Sequence, residues 1–158
     1  MYEKVLVPLD GSPLSESVLP HAEEIAAKFG SEVVLVRVVA TLGELLRELL
    51  PQGGLQSAGA SAELGIKVAE RQHESERAEA ERYLAGIAGR LRSKSFKVHD
   101  RVEEGGPSQA ILAAARATGA GLIAMSTHSR TGLPRSVLGS VADEVVRESH
   151  LPVLLIHP

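Results

Sequence analysis

The hydrophobic positions follow two different periods along the chain, and the order of these periods predicts the fold. Five segments have the pattern of β-strands, and they cover residues 4–9, 32–39, 96–102, 121–125 and 152–157. Four of them are apolar runs without alternation, which is typical of parallel strands covered on both faces. Residues 96–102 instead alternate apolar with polar side chains, as expected for a strand at the edge of a sheet.

Apolar residues spaced three and four apart predict helices between these strands. The predicted helices cover residues 13–29, 42–50, 67–92 and 139–146, and one more begins within 105–108 and ends at 118–119. Capping residues support the bounds of the first helix, since Ser12 and Pro13 are typical of a helix start and Gly30 of a helix end. The alternation of strands and helices predicts an α/β fold, with a five-stranded, mainly parallel sheet and helices on both faces.

Residues 41–66 have the weakest periodicity of the chain. A short amphipathic helix is predicted at residues 42–50, because leucines recur on one side and Pro51 ends the pattern. The sequence that follows, QGGLQSAGASAELG, is rich in Gly, Ser and Ala and predicts a mobile loop. This insertion leaves the carboxyl end of the second strand, so it is expected to overhang the loop after the first strand, either as a lid or as a disordered excursion.

The composition narrows the function classes. With 158 residues the chain is long enough for a substantial core but too short for two ordinary domains, so residues 1–158 are expected to form one domain. A net charge of −3, with two Tyr, two Phe and no Trp, disfavours nucleic-acid binding. The absence of cysteine excludes disulfides and thiolate metal sites, and the six histidines lack metal-site spacing. No signal peptide or apolar run of bilayer length is present, which predicts a cytoplasmic protein without membrane contact.

The loop after the fourth strand carries the strongest functional signal. Parallel sheets bind ligands beyond the carboxyl ends of their strands, where the winding direction reverses. Asp10 follows the first strand and Ser126 the fourth, so their loops are expected to face each other. Hydroxyl and cationic side chains at residues 126–131 precede a helix that opens at Gly139 and Ser140. The amide groups of such a helix start attract anions and predict a phosphate site; a capped helix beside a polar surface loop is the alternative.

Other chemical signals in the sequence are weaker. The chain lacks the glycine-lysine-serine or glycine-lysine-threonine of a Walker phosphate loop and the G-x-G-x-x-G of dinucleotide sites. Ser126, His128 and Asp10 are the residue types of a serine hydrolase, but the flanking glycines of the G-x-S-x-G nucleophile turn are missing. His128 is therefore expected to order the loop through a hydrogen bond rather than to act as a base. No catalytic residue is predicted.

The chain resembles the universal stress protein family over essentially its whole length. The resemblance is carried by the segments VLVPLDGS, EVVLVRVV, GGPSQAIL, LIAMSTHSRTG, VLGSVADEVV and PVLLIH. It implies a Rossmann-like sheet of the adenine nucleotide alpha hydrolase-like type and a homodimer joined through the last strand, residues 152–157. The nucleotide-binding branch of the family has Gly, two residues, Gly, nine residues, then Gly followed by Ser or Thr. Here Ser126, Ser129, Gly139 and Ser140 occupy those positions, so two family glycines are serines.

The resemblance also implies which residues hold an adenine nucleotide. Pro8 would lie near the adenine, Val38 would offer its backbone to the adenine edge, and Asp10 would contact the ribose. The full implied set is Pro8, Asp10, Val38, Met125, Ser126, His128, Ser129, Arg130, Gly139, Ser140 and Val141. ATP is the expected ligand, with AMP or ADP as alternatives. Mg²⁺ would accompany the nucleotide, with Asp10 as its candidate protein ligand.

One functional prediction and two alternatives follow from the resemblance. The prediction is an ATP-binding universal stress protein that acts as a nucleotide-dependent sensor or signalling module in the stress response. The alternatives are a nucleotide-free dimeric adaptor of the same fold and a weak ATPase. Because no residue is identified that would position an attacking water, any hydrolysis of ATP is expected to be slow or dependent on a partner.

Overall fold

The computed structural model describes residues 2–49, 59–127 and 139–157 and confirms the α/β architecture. The elements in chain order are β1 Lys4–Pro8, α1 Pro13–Glu16, α2 Leu19–Phe29, β2 Glu32–Val39, α3 Leu42–Leu49, α4 Gly59–Ser93, β3 Val98–Glu104, α5 Pro107–Thr118, β4 Leu122–Ser126, α6 Ser140–Glu148 and β5 Val153–Ile156. Residues 50–58, which include part of the predicted insertion, lie outside the described residues.

The five strands form one parallel sheet in the order β3-β2-β1-β4-β5. The chain therefore winds from β1 toward β3 and then continues on the other side of β1. This reversal places the switch point of the sheet between β1 and β4, where open α/β sheets bind their ligands. β3 lies at the edge of the sheet, as its alternating pattern predicts, although it starts two residues later than expected.

Side chains alternate between the two faces of the sheet and build a core on each. On β1, Val5 and Val7 point to one face and Leu6 points to the other. The first face is covered by α2 and the C-terminal half of α4, and we call it the α2/α4 face. The second is covered by α5 and α6, and we call it the α5/α6 face. Both faces are covered by helices, which explains why the four strands other than β3 lack the alternation of a half-exposed sheet.

The helix predicted across residues 13–29 is divided in two. α1 ends at Glu16, and α2 starts at Leu19 with Pro20 in its first turn. Proline lacks an N–H group and its ring collides with the carbonyl four residues earlier, so a continuous helix through this position is disfavoured. Phe29, the last residue of the predicted helix, is 55% exposed, and its ring contacts the Tyr2 ring edge-on.

The mobile loop predicted before residue 67 is wrong for residues 59–66, which are the first turns of α4. α3 forms as predicted and packs against α4, with Leu45 and the small side chains Ala62 and Ala69 buried. Alanine is the best helix former, so the Gly, Ser and Ala content that indicated a loop is compatible with a helix once a neighbour supports it. Within the described ranges, no helix is both long and apolar enough to cross a membrane.

Candidate functional site

The turn after β1 presents Asp10 at the switch point of the sheet. Gly11 has a φ of +89°, a left-handed conformation that glycine adopts without strain. The Asp10 carboxylate accepts the Ser12 N–H at 2.8 Å, and the Ser12 hydroxyl in turn caps α1 by accepting the Ser15 N–H at 3.1 Å. The Ser15 hydroxyl accepts the Asp10 N–H at 3.3 Å. These bonds fix the backbone of the turn and leave Asp10 exposed at the carboxyl end of the sheet.

Apolar side chains of three neighbouring strands lie level with this turn on the α5/α6 face. Pro8 follows Leu6 by two residues and shares its face, and continuing the β1–β4 register places it level with Met125. Val38 of β2 and Val141 of α6 are half-buried and pack against the same core. The result is an apolar wall of the kind that an aromatic base packs against.

The backbone of Val38 points toward the β1 side of β2. The Leu9 N–H donates to the Val36 carbonyl at 2.8 Å, so the backbone groups of Val36 face β1. Backbone direction alternates along a parallel strand, and Val38, two residues later, faces the same way. The paired residues of β1 end with Pro8 opposite Val36. The amide and carbonyl of Val38 are therefore directed past the end of β1, toward the switch point.

Helix α6 begins at the other side of the switch point. Gly139 is its N-cap residue, and the first bond within the helix is donated by the Asp143 N–H to the Gly139 carbonyl at 2.9 Å. The amides of Ser140 and Val141 precede that bond and have no partner within the helix. They lie at the positive end of the helix dipole, which favours an anion.

Thr127, directly after β4, is hydrogen-bonded to the first residue of the α6 region, Gly139. Its hydroxyl accepts the Gly139 N–H at 3.3 Å, and its own N–H donates to the Ile156 carbonyl of β5 at 3.0 Å. Thr127 is 3% exposed, so the hydroxyl end of this bond is buried. Thr127 lies within the hydroxyl and cationic segment 126–131 of the predicted phosphate site, but the set of nucleotide-binding residues implied by the resemblance did not include it. The sequence feature that could have pointed to Thr127 is a hydroxyl side chain directly after a buried strand. The family pattern specifies no residue type at this position.

Ser126 occupies its position without backbone strain. It is the last residue of β4 and 8% exposed, and Ser95 is the one non-glycine residue with positive φ in the described part of the chain. The serine that replaces a family glycine here therefore does not force an unfavourable φ. Its extended conformation also differs from the sharp strand-to-helix turn of a hydrolase nucleophile, which disfavours the hydrolase alternative.

Eight of the predicted site residues lie at the carboxyl end of the sheet, around the switch point. They are Pro8, Asp10, Val38, Met125, Ser126, Gly139, Ser140 and Val141. The other three, His128, Ser129 and Arg130, lie outside the described residues. Among the described residues, no group of three or more His, Cys, Asp or Glu side chains is arranged to hold a metal ion.

Comparison with known proteins identifies the family. The model of the universal stress protein family matches residues 1–157. This chain belongs to the universal stress protein family. Universal stress protein MJ0531 of Methanocaldococcus jannaschii is 32% identical over 156 residues, which cover 99% of this chain and 82% of that protein. Universal stress protein MJ0577 of the same organism is 30% identical over 159 residues, which cover 99% of this chain and 95% of that protein.

Solved structures of universal stress proteins share the fold. The structure of MJ0577 aligns with a TM-score of 0.77 at 27% identity and covers 100% of this chain and 97% of that one. A universal stress protein solved in complex with cAMP aligns with a TM-score of 0.59 at 21% identity, covering 99% and 97% of the two chains. The predictions of the family and of a Rossmann-like five-stranded sheet are therefore confirmed.

Proposed function

We propose that this universal stress protein binds ATP between the carboxyl ends of β1 and β4 and acts as a cytoplasmic, nucleotide-dependent sensor or signalling module. One observation carries the proposal: the Asp10 turn, the apolar wall and the start of α6 meet at one switch point. These are groups that suit a ribose, a base and a phosphate chain respectively. A universal stress protein of the same fold has been solved with cAMP, so this fold can accommodate an adenine nucleotide.

Each part of the nucleotide has a matching part of the site. The adenine would pack on the apolar wall, with its polar edge bonded to the backbone of Val38. The Asp10 carboxylate would accept hydrogen bonds from the ribose hydroxyls, which is a strong, charge-assisted interaction. The phosphates would reach the amides of Gly139, Ser140 and Val141 at the start of α6.

In this proposal, residues of the segment between β4 and α6 would complete the phosphate site. His128, Ser129 and Arg130 would supply a hydrogen-bonding ring, a hydroxyl and a cation to the phosphates. Mg²⁺ would arrive with ATP, with Asp10 as the candidate ligand, directly or through water. A triphosphate is favoured over a monophosphate because it supplies the charge that a helix N-terminus and an arginine both attract.

The proposal is tested by thermal unfolding with ATP, ADP, AMP, GTP and buffer alone. A ligand present at 100 times its Kd stabilises the folded state by about 2.7 kcal/mol. For a chain of this size, this raises Tm by roughly 5–11 °C. We expect the largest rise with ATP and the smallest with GTP, because the Val38 backbone is proposed to read the adenine edge.

A second measurement tests ATP binding without added nucleotide. The purified protein is denatured and the supernatant is analysed for released nucleotides. Equal melting temperatures in all samples, together with no released nucleotide, would contradict ATP binding and favour the nucleotide-free adaptor. Phosphate release from ATP that is lost in Asp10→Asn would instead favour the weak ATPase.

We also propose that the protein is a homodimer joined through the last strand, residues 152–157. β5 is an edge strand, and all four of its side chains are only half-buried in the single chain. An open edge of this kind exposes unpaired backbone groups and apolar surface that a second copy can cover. Light scattering coupled to size exclusion should give twice the chain mass of 16.7 kDa. A mass of one chain at micromolar concentration would contradict the dimer.

A further inference from the structure

Arg37 and Tyr83 lie behind the Asp10 turn, on the α2/α4 face of the sheet. Arg37 is the one charged residue inside the hydrophobic part of β2, and its side chain is 18% exposed. Its guanidinium carbon lies 5.2 Å from the centre of the Tyr83 ring on α4. One guanidinium nitrogen is 3.5 Å from a carboxylate oxygen of Glu79, one turn earlier on the same helix. The cation is therefore held between a ring and a carboxylate of α4.

The same guanidinium group packs directly against Gly11. A Cβ atom at Gly11 would lie 3.3 Å from the guanidinium carbon and from one of its nitrogens. Gly11 thus has two reasons to be glycine, since its φ is +89° and Arg37 occupies the space of a side chain. Gly11 lies between Asp10 and Ser12, so the guanidinium group of Arg37 packs against the backbone of this turn and supports it.

Tyr83 also connects the turn to α1. Its hydroxyl donates to a Glu16 carboxylate oxygen at 3.1 Å, and the other oxygen of Glu16 accepts from Arg90 at 3.2 Å. Burial, followed by the negative charge of Glu16, raises the pKa of Tyr83 to about 12. The hydroxyl therefore stays protonated and keeps donating this bond at neutral pH.

We propose that Arg37 and Tyr83 are positioning residues, which hold the Asp10–Ser12 turn so that the Asp10 carboxylate meets the ribose hydroxyls. The inference rests on the proposed function, because it assumes an adenine nucleotide at the switch point. Neither side chain touches the nucleotide in this arrangement: Arg37 and Tyr83 lie on the α2/α4 face, and the apolar wall lies on the α5/α6 face. Selectivity for ribose thus depends on a stacked pair outside the pocket.

The test compares the affinities of ATP, 2′-deoxy-ATP and 3′-deoxy-ATP. A hydroxyl bonded to a charged carboxylate predicts that the wild-type protein prefers ATP over at least one deoxy analogue by about tenfold. Arg37→Gln and Tyr83→Leu should reduce this preference to about threefold or less, because each removes one half of the stack. Arg37→Lys should behave like Arg37→Gln, since lysine keeps the charge without the flat stacking group. Tyr83→Phe keeps the ring and loses only the hydrogen bond to Glu16, so it should keep most of the preference.

Arg92→Gln is the matched control. Arg92 is also an arginine of the α4 region with a carboxylate partner, Asp100 at 2.8 Å, and it lies near the other end of the sheet, away from the turn. Its substitution should leave the preference for ATP unchanged. A general loss of structure in any variant would weaken the binding of all three nucleotides equally. It would therefore leave the ratio of the ATP affinity to each deoxy-analogue affinity unchanged.

The outcomes separate the inference from the proposed function. An unchanged preference in folded Arg37→Gln, or an equal loss for all three nucleotides, overturns the positioning role. A wild-type protein that binds ATP without preference over both deoxy analogues overturns the inference and leaves ATP binding standing. A wild-type protein that binds no nucleotide overturns the proposed function itself. If Arg37→Gln does not fold, Arg37→Lys and Tyr83→Leu decide by the same ratio.

Discussion

The Asp10→Asn variant is expected to bind ATP roughly 10- to 100-fold more weakly than the wild-type protein, because a charge-assisted hydrogen bond contributes about 1.5–3 kcal/mol. The asparagine keeps the side-chain oxygen that accepts the Ser12 N–H, so the turn and the cap of α1 should be preserved. The change therefore isolates the negative charge that the proposal assigns to the ribose hydroxyls. Calorimetric titration with ATP measures the effect directly.

Asp100→Asn is the control for this experiment. Asp100 is an aspartate of the edge strand β3, and it is paired with Arg92 rather than placed at the switch point. The Asp100→Asn substitution should leave the affinity for ATP within about twofold of the wild-type value, since exposed ion pairs contribute little to stability. An equally small effect of Asp10→Asn would rule out the ribose assignment. An effect that disappears when Mg²⁺ is removed would instead assign Asp10 to the metal.

The Leu35→Ala variant is expected to lose about 3 kcal/mol of unfolding free energy, within the range of 2–5 kcal/mol for buried leucines. Leu35 lies in the middle of β2, is 0% exposed and belongs to the core of the α2/α4 face. The close packing of the sheet under α2 and α4 prevents the neighbours from filling the cavity. For a chain of this size the change corresponds to a decrease in Tm of roughly 6–12 °C.

Leu64→Ala provides the matched comparison for Leu35. Leu64 is on α4 but is 64% exposed, so the same atoms are removed from a side chain that buries little surface. Its effect on the unfolding free energy should stay within about 0.5 kcal/mol. A loss smaller than about 1 kcal/mol for Leu35→Ala, measured by urea unfolding, would contradict the packing described for this core.

The sheet could be predicted from the sequence because a strand buried on both faces leaves a continuous apolar run. β1, β2 and β4 are such runs, and right-handed crossovers between parallel strands leave few ways to order them. The α2/α4 face shows where the pattern fails. A stripe of apolar residues cannot reveal that Pro20 breaks the helix, although the chemistry of proline could have indicated it.

The sequence predicted which residue types form the candidate site better than it predicted which side chains contact one another there. Asp10, Gly139 and Ser140 stand at the ends of recognisable elements, so a parallel topology brings them together. The partners of Thr127 and Arg37 depend on register and side-chain direction, which involve residues distant in sequence. In the sequence, Arg37 is recognisable as a charged residue within an otherwise apolar run. Nothing in its local pattern shows that its partner is a tyrosine on a helix more than 40 residues later.

Helix α4 has 35 residues and is about 52 Å long, at 1.5 Å per residue, whereas the eight residues of β2 span only about 26 Å. Its C-terminal half buries Leu84, Ile87 and Leu91 in the main core, but its N-terminal half buries mainly alanines against α3. Side chains that bury little apolar area contribute little free energy. We therefore expect the N-terminal half of α4 to open at a lower free energy than the C-terminal half, which should unfold together with the sheet; amide hydrogen exchange along α4 measures the difference.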